Sequence, residues 1–408
     1  MGTEDVRAGA LLRPGVWILP AIVLSQFCGT SLWFAGNAVM PDLQREWGLP
    51  GHALGNLTSA VQLGFIVGTL AFAFLTISDR YSPRRVFFVC SLIGAAGNLA
   101  LFAGHRNFTV LLASRFITGF FLAGIYPVGM KIAAGWYQKT LGNAIGWLVG
   151  ALVLGTAFPH GLRALGGGLT WELVTLAVSG IAAAGGALML LLVPDGPYLA
   201  RGARFDPRAL AVVFRSPDFR ASSFGYFGHM WELYAFWAFV PVALAAQGSI
   251  TEARAVSVWA FLVIAAGSLG CIVGGLASLR AGSARVAYAQ LCASGACCLL
   301  SPLMFHAPGP AFLAFMLFWG VVVVGDSPQF SALNARYAPP TLVGSALTIA
   351  NCIGFAITIL TLQMLNRIAG HIDAAYLYVP LAAGPVFGLF AMRRLVAAPG
   401  SERPPARR

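Results

Sequence analysis

Four ionisable side chains lie deep in stretches that are otherwise apolar: Arg115, His229, Glu232 and Asp326. Charged groups at membrane depth are costly and mark ion or substrate pathways. Glu232 and His229 belong to the run Gly225-Tyr-Phe-Gly-His-Met-Trp-Glu-Leu-Tyr234. Tyr226, His229 and Glu232 recur every third residue there, which predicts one shared helix face. Glu232 stands about ten residues into its run, or ~15 Å deep at ~1.5 Å per residue. A carboxyl at mid-membrane with an imidazole beside it can exchange a proton near neutral pH, and proton coupling requires such a group. A structural His–Glu hydrogen bond fits the same spacing. Asp326 sits in Gly325-Asp326-Ser327-Pro328, where proline disturbs the helix. It reads equally as a second protonation site and as a partner for backbone groups near that break. Arg115 falls in the outer half of its run, either as a partner for an acid or as an arginine that snorkels to the surface.

A second group of residues could hold a solute. Gln26, Trp33 and Asn37 follow one another at spacings of seven and four, which predicts a common face in the first apolar run. Tyr126, Tyr226 and the buried amide Asn351 extend the set. Rings with a few amides suit a small, neutral or mixed organic substrate, although Trp33 taken alone reads as a packing ring. The seven cysteines all fall inside apolar runs and, like the histidines, show no metal spacing. His52, His105, His160, His306 and His371 fall at predicted outer edges and read as surface groups. No phosphate loop, nucleotide fingerprint or hydrolytic triad is present. No catalytic residue, metal or cofactor is therefore expected.

The elements that must carry these residues follow from composition. The chain has 408 residues, 58% hydrophobic and 10% charged, against about 25% charged in a soluble protein. A membrane span needs ~20 apolar residues, and spans are predicted at 16–40, 54–77, 86–104, 108–134, 140–161, 171–193, 221–246, 253–277, 285–305, 310–332, 343–366 and 374–394. The first is too long for a signal-peptide core. The net charge of +12 could point to nucleic acid, but its distribution excludes that. Of 26 Lys and Arg, five (Arg45, Arg106, Arg163, Arg254 and Arg367) fall outside and Arg115 lies within a span; the other 20 fall in segments on the side of the termini. That bias places both termini in the cytoplasm.

The chain also repeats. Ser78-Asp-Arg-Tyr-Ser-Pro-Arg-Arg85 forms a charged turn between two apolar runs, and Ser278-Leu-Arg-Ala-Gly-Ser-Ala-Arg285 echoes it 200 residues later. Gly119, Gly124 and Pro127 recur as Gly320, Gly325 and Pro328, and Pro41 recurs as Pro241. The predicted organisation is an N-terminal six-helix half (1–193), a cytoplasmic linker (194–220), a C-terminal six-helix half (221–395) and a disordered basic tail (396–408).

The first turn resembles the signature of the major facilitator superfamily, Gly-x-x-x-Asp-Arg-x-Gly-Arg-Arg/Lys. Asp79, Arg80 and Arg84 fit it, whereas Leu75, Ser82 and Pro83 depart from it. The second copy keeps Gly275, Arg280, Gly282 and Arg285, with Leu279 in place of the acid. Leu111-x-x-x-Arg115-x-x-Thr118-Gly119 is similar to the helix-4 motif of proton-coupled members, with Thr118 where Gln is usual. Gly146, Gly150, Gly155 and Pro159 only faintly resemble the antiporter motif of the fifth span. The arginines that nitrate and organophosphate porters carry in their spans are absent.

The resemblance implies an all-α polytopic fold of twelve helices in two pseudo-symmetric bundles and secondary active transport by alternating access. It implies that Asp79 faces the start of the eleventh span near Gly344 and that Asp79, Arg80, Arg84 and Arg280 lock the outward-open state. The expected partners are a small-molecule solute, protons and the lipid bilayer, for a monomer in a bacterial inner membrane. Arg115 and Glu232, whose depths differ by ~6 Å, are expected to pair in one conformation and part in another. An uncoupled facilitator and a non-transporting sensor or scaffold are the alternatives.

Overall fold

The computed structural model describes residues 15–104, 107–138, 140–165, 169–199 and 205–397. Among them are twelve long helical units: α1 (Ile18–Trp47), α2 (Ala53–Phe74), α3 (Pro83–Leu99), α4 (Phe108–Trp136), α5 (Leu141–Ala164), α6 (Trp171–Leu192), α7 (Pro217–Gln247), α8 (Ala253–Ala281), α9 (Ser283–Phe305), α10 (Gly309–Tyr337), α11 (Val343–Ile368) and α12 (Ala374–Ala397). Ten of these are long and apolar enough by themselves to cross a membrane. The other two are α3, which has 17 residues, and α7, which carries His229 and Glu232. We call the end of the bundle with the turns around Asp79 and Gly282 the basic end, and the opposite end the far end.

Local chemistry sets the boundaries. Pro83 and Pro217 open α3 and α7 in the first turn, where a missing N–H costs nothing. Asn107, Thr170 and Ser216 cap α4, α6 and α7 with side-chain oxygens. Gly48 and Gly248 end α1 and α7 at φ of 64° and 84°, the left-handed conformation that glycine adopts without strain. They stand at equivalent places in the two halves, as do Pro41 and Pro241.

α12 opens with two short 3-10 turns before its α-helix starts at Ala383, and three other units are interrupted. The breaks in α4 and α10 come just before Pro127 and Pro328, whose rings cannot continue the preceding hydrogen-bond ladder. In α1 the break spans residues 31–34. There Thr30 Oγ1 donates to Gln26 O at 2.8 Å and Ser31 Oγ to Cys28 O at 2.6 Å. Such back-bonding competes with the helix. The expected single first span is therefore two helices, and the second runs through Pro41 to Trp47.

The two halves pack by the same scheme. α2 lies on α4 as α8 lies on α10, α1 on α5 and α6 as α7 on α11 and α12, and α3 on α6 as α9 on α12. The repeated glycines explain part of this. A Cβ at Gly119 would come within 2.1 Å of Val61 O on α2, and one at Gly320 within 2.0 Å of Val263 O on α8. Small residues at these crossings let the backbones touch. The halves meet mainly through α2 against α11 and α5 against α8. Near the far end Gln363 Nε2 donates to Asn56 Oδ1 (3.1 Å) and Ser59 Oγ (2.9 Å), and Asn366 Nδ2 donates to His52 O (2.8 Å).

In the linker, a short helix at Ala209–Val213 packs with Phe219 against Ala346 and Ile349 at the start of α11. Most of the expected tail, residues 398–408, lies outside the described residues, and 396–397 belong to α12.

Candidate functional site

The helices that meet between the halves enclose a central cavity. Tyr126 and Met130 line it from α4, Tyr226, Met230 and Tyr234 from α7, Ser327, Ser331 and Asn334 from α10, and Asn351 and Phe355 from α11. Tyr226 Oη donates to Asn351 Oδ1 at 3.2 Å across it. The cavity measures about 90 Å³, room for roughly three waters at ~30 Å³ each. Small-molecule pockets run to about 300–1,000 Å³. The central cavity is therefore well below that size in this structure.

A plug of aromatic rings closes the cavity toward the far end. Trp33 stacks on Phe355 with centroids 5.6 Å apart and touches Phe65 at 4.9 Å and Tyr234 at 5.7 Å. Phe34 meets Trp237 edge-on at 6.2 Å. Trp33, Phe34 and Phe65 come from the N-terminal half, and Tyr234, Trp237 and Phe355 from the C-terminal half. All six are buried. Beyond the plug, at the far end, lies a second cavity of about 720 Å³.

The ionisable groups sit behind the cavity wall, not on it. His229 Nδ1 lies 2.8 Å from Asp326 Oδ1, with both side chains 1% exposed. This is ion-pair distance without hydrogen-bond alignment, and Asp326 Oδ2 and His229 Nε2 have no partner. Glu232 Oε1 accepts from Trp319 Nε1 at 2.7 Å, from Cys298 Sγ at 3.4 Å and from Ser294 Oγ. The structural His229–Glu232 hydrogen bond, the alternative reading of that spacing, is not formed, since each residue has its partners on α9 or α10. Helix geometry also separates Tyr226 from Glu232. At ~100° per residue, positions six apart diverge by ~120°. Tyr226 therefore looks into the cavity while Glu232 looks into its own bundle.

Arg115 is equally enclosed, at 2% exposure. Its Nη1 donates to Asn98 Oδ1 at 2.8 Å, and its Nη2 donates to Leu32 O at 2.7 Å and Trp33 O at 2.8 Å. Asn98 Nδ2 is held in turn by Ser179 Oγ at 2.9 Å. Arg115 thus satisfies the carbonyls freed by the break in α1 and fixes the residue that centres the plug. It neither snorkels to the surface nor meets Glu232 in this conformation. Depth along a helix could not reveal this, because the two residues face into opposite bundles.

The other expected site residues divide. Tyr126, Tyr226 and Asn351 line the cavity. Gln26, Trp33 and Asn37 do not share a face, because the break in α1 turns the chain between them. Gln26 is buried with both amide atoms unpartnered and its Oε1 close to Gly129. Asn37 Nδ2 donates to Thr58 Oγ1 at 2.8 Å. His160, expected at the surface, is 2% exposed. At the basic end Asp79 pairs with Lys131, whose Nζ also donates to Ser78 O at 2.7 Å. Arg80 Nε donates to Thr76 Oγ1 at 3.1 Å and Arg84 Nη1 to Leu190 O at 3.2 Å. Arg280 is exposed in the last turn of α8. Sequence reasoning missed Lys131, Asn98, Ser294 and Trp319. Asn98, a lone amide within an apolar run, was the detectable one.

Comparison with known proteins agrees with this architecture. An uncharacterized transporter of Schizosaccharomyces pombe is 25% identical over 224 residues, 49% of this chain and 42% of that protein. The niacin transporter NiaP of Acinetobacter baylyi is 28% identical over 179 residues, 41% of this chain and 38% of that protein. The chain thus spans less than half the length of each of these two curated relatives. Among solved structures, the human organic anion transporter MFSD10 superposes with a TM-score of 0.70 at 15% identity, covering 93% of this chain and 99% of that one. That likeness is one of fold. The family model of the Major Facilitator Superfamily fits residues 22–362, which takes in both halves, and this integral membrane protein belongs to that superfamily of transporters.

Proposed function

We propose that the chain is a secondary active transporter that moves a small, uncharged organic solute by alternating access, driven by a proton gradient. It works in a bacterial cytoplasmic membrane with both termini cytoplasmic, the orientation that the bias of Lys and Arg favours. The observation that carries the reading is the two-sided use of α7. One face of this helix, with Tyr226, Met230 and Tyr234, lines the central cavity. The other holds His229 against Asp326 and Glu232 against Ser294 and Trp319. A change of charge at either acid alters what holds α7 in its bundle and, through α7, the shape of the cavity.

The cavity lining supports the class of solute. It offers rings, methionines, two serines and two asparagines, and none of the lining residues is Lys, Arg, Asp or Glu. A carboxylate such as that of niacin would find no counter-charge there, because Arg115 is committed to Asn98 and the carbonyls of α1. An uncharged molecule with an apolar body and hydrogen-bonding groups matches the wall.

The test begins with a screen of uncharged metabolites and drugs for stabilisation of the purified protein. The hits then enter uptake assays in proteoliposomes under an imposed pH gradient. One proton per solute and one pH unit should sustain about tenfold accumulation, equal to ~1.4 kcal/mol, and an uncoupler should collapse it. Uptake that only equilibrates, with or without the gradient, would rule out coupling and leave a facilitator. No uptake of any stabilising hit would overturn transport of this solute class.

A further inference from the structure

We infer that the linker is a wedge between the halves: Phe205 and Asp206 fill the place at the basic end where α2 meets α11 when that end closes, so the linker must withdraw before the far end opens. The inference rests on alternating access, and not on the proposed solute or on proton coupling. It starts from the register of the two helices. At the far end, Asn56 of α2 accepts from Gln363 of α11 at 3.1 Å. Phe74 lies eighteen residues after Asn56, and Ser345 lies eighteen residues before Gln363. Eighteen residues make five full turns, or ~27 Å. Phe74 and Ser345 therefore leave their helices in the same directions as Asn56 and Gln363. The helices run antiparallel, so side by side to the basic end they would bring Phe74 and Ser345 face to face.

Both residues meet the linker. Phe205 packs edge-on against Phe74 with centroids 4.7 Å apart. The next residue, Asp206, donates its backbone N–H to Ser345 Oγ at 3.0 Å. Two consecutive linker residues thus hold one residue of each half. Phe74 is 56% exposed, as befits a helix end that α11 does not cover. There α2 stays against its own half, since a Cβ at Gly68 would come within 2.2 Å of Phe120 O on α4.

Local chemistry seats the wedge on the C-terminal half. Asp206 Oδ1 accepts from Arg208 N at 2.9 Å, and Asp206 O accepts from Ala209 N at 3.0 Å. This Asx turn opens the short linker helix. Ala209 and Val213, four residues apart and fully buried, share a face and join Phe219, Ala346 and Ile349 in one apolar cluster. The linker is thus anchored on α7 and α11 and reaches the N-terminal half through the ring of Phe205.

One place takes one occupant. In this structure the plug and the bonds from Gln363 and Asn366 to α2 hold the far end together, and the linker stands at the basic end. The opposite state brings Phe74 and Ser345 together, which displaces Phe205 and breaks the Asp206–Ser345 bond. The wedge makes its contacts in one state and loses them in the other, so it biases the equilibrium toward the state closed at the far end. Weakening it moves the population the other way.

The test measures distances between spin labels by double electron–electron resonance on the full chain in lipid nanodiscs. Exposed Cys292 and half-buried Cys352 are replaced by serine beforehand. One labelled pair, Gly51→Cys with His371→Cys, spans the far end, and another, Tyr81→Cys with Thr341→Cys, spans the basic end. In Phe205→Ala, Ser345→Ala and Ala209→Asp, a longer far-end distance and a shorter basic-end distance should gain population together. The expected gain is about fivefold over the native linker, equal to ~1 kcal/mol. Trp33→Ala, which loosens the plug, opens the far end by another route and serves as the control. Thermal unfolding confirms that each variant is folded, and the three linker variants weaken separate contacts, so they back each other up. A shift in Trp33→Ala with none in the linker variants would overturn the wedge and leave alternating access standing. Lengthening at the basic end in the linker variants would also overturn it, because the linker would then pull the halves together. No second population in any variant would overturn alternating access and the wedge with it.

Discussion

Replacing Glu232 by glutamine separates the proton from the packing. Three donors converge on one oxygen of this side chain: Trp319 Nε1 at 2.7 Å, Cys298 Sγ at 3.4 Å and Ser294 Oγ. Glutamine places a carbonyl oxygen at the same reach, so every donor keeps an acceptor. Exchanging a charged acceptor for a neutral one gives up about 1 kcal/mol at each of the two stronger bonds. The variant should therefore lose no more than ~2 kcal/mol of stability. Alanine differs, because it leaves the Ser294 and Trp319 donors buried and unpaired and opens a void. The cost is then about 4 kcal/mol or more. In transport, glutamine cannot load or release a proton. Accumulation under one pH unit should fall from about tenfold to equilibration, while solute counterflow, which needs no net proton movement, continues. Both assays are run in proteoliposomes from one preparation, beside thermal unfolding of the three proteins. Uphill accumulation by Glu232→Gln would remove this residue from the coupling and leave His229 and Asp326. Loss of counterflow at unchanged stability would contradict the placement of Glu232 behind the cavity wall.

Gly119→Ala and Gly320→Ala should each push a helix pair apart, costing about 1–3 kcal/mol through overpacking, with similar drops in the denaturation midpoint because the two glycines meet equivalent carbonyls. An effect confined to one half would refute that equivalence. Trp33→Ala should remove the centre of the plug at about 3–5 kcal/mol and let a bulky thiol reagent reach Tyr126→Cys from the far end. Unchanged protection would show that the other rings suffice. Asp79→Asn and Lys131→Met should be non-additive by about 0.2–1 kcal/mol, the range of partly exposed pairs. They should also shift cysteine accessibility between the two ends, and full additivity would deny the pair. Reporter fusions after Arg85 and at the linker should read cytoplasmic, and one after Arg254 external; a reproducible inversion would overturn the orientation.

The fold was largely legible because it rests on one-dimensional quantities. Lipid demands apolar runs of a certain length, and the spacing of charged turns and repeated glycines records the duplication directly. What escaped was rotation about each helix axis and the choice of neighbour. A three-residue spacing suggested one face for Tyr226, His229 and Glu232, yet the drift over six residues sends the first and last in different directions. The break in α1 depends on Thr30 and Ser31 bonding backwards and on Arg115 arriving from α4, a tertiary contact that no local pattern encodes. Trp319 could not be told from any other membrane tryptophan until Glu232 was found beside it.

The plug draws three rings from each half, and this bears on how the protein is made. The N-terminal half leaves the ribosome first and must wait in the membrane with Trp33, Phe34 and Phe65 facing a partner that does not yet exist. Until Tyr234, Trp237 and Phe355 cover that face, only lipid is there to meet it. The two halves, produced as separate polypeptides in one cell, should therefore find each other and assemble, because much of the surface that joins them is already written into each.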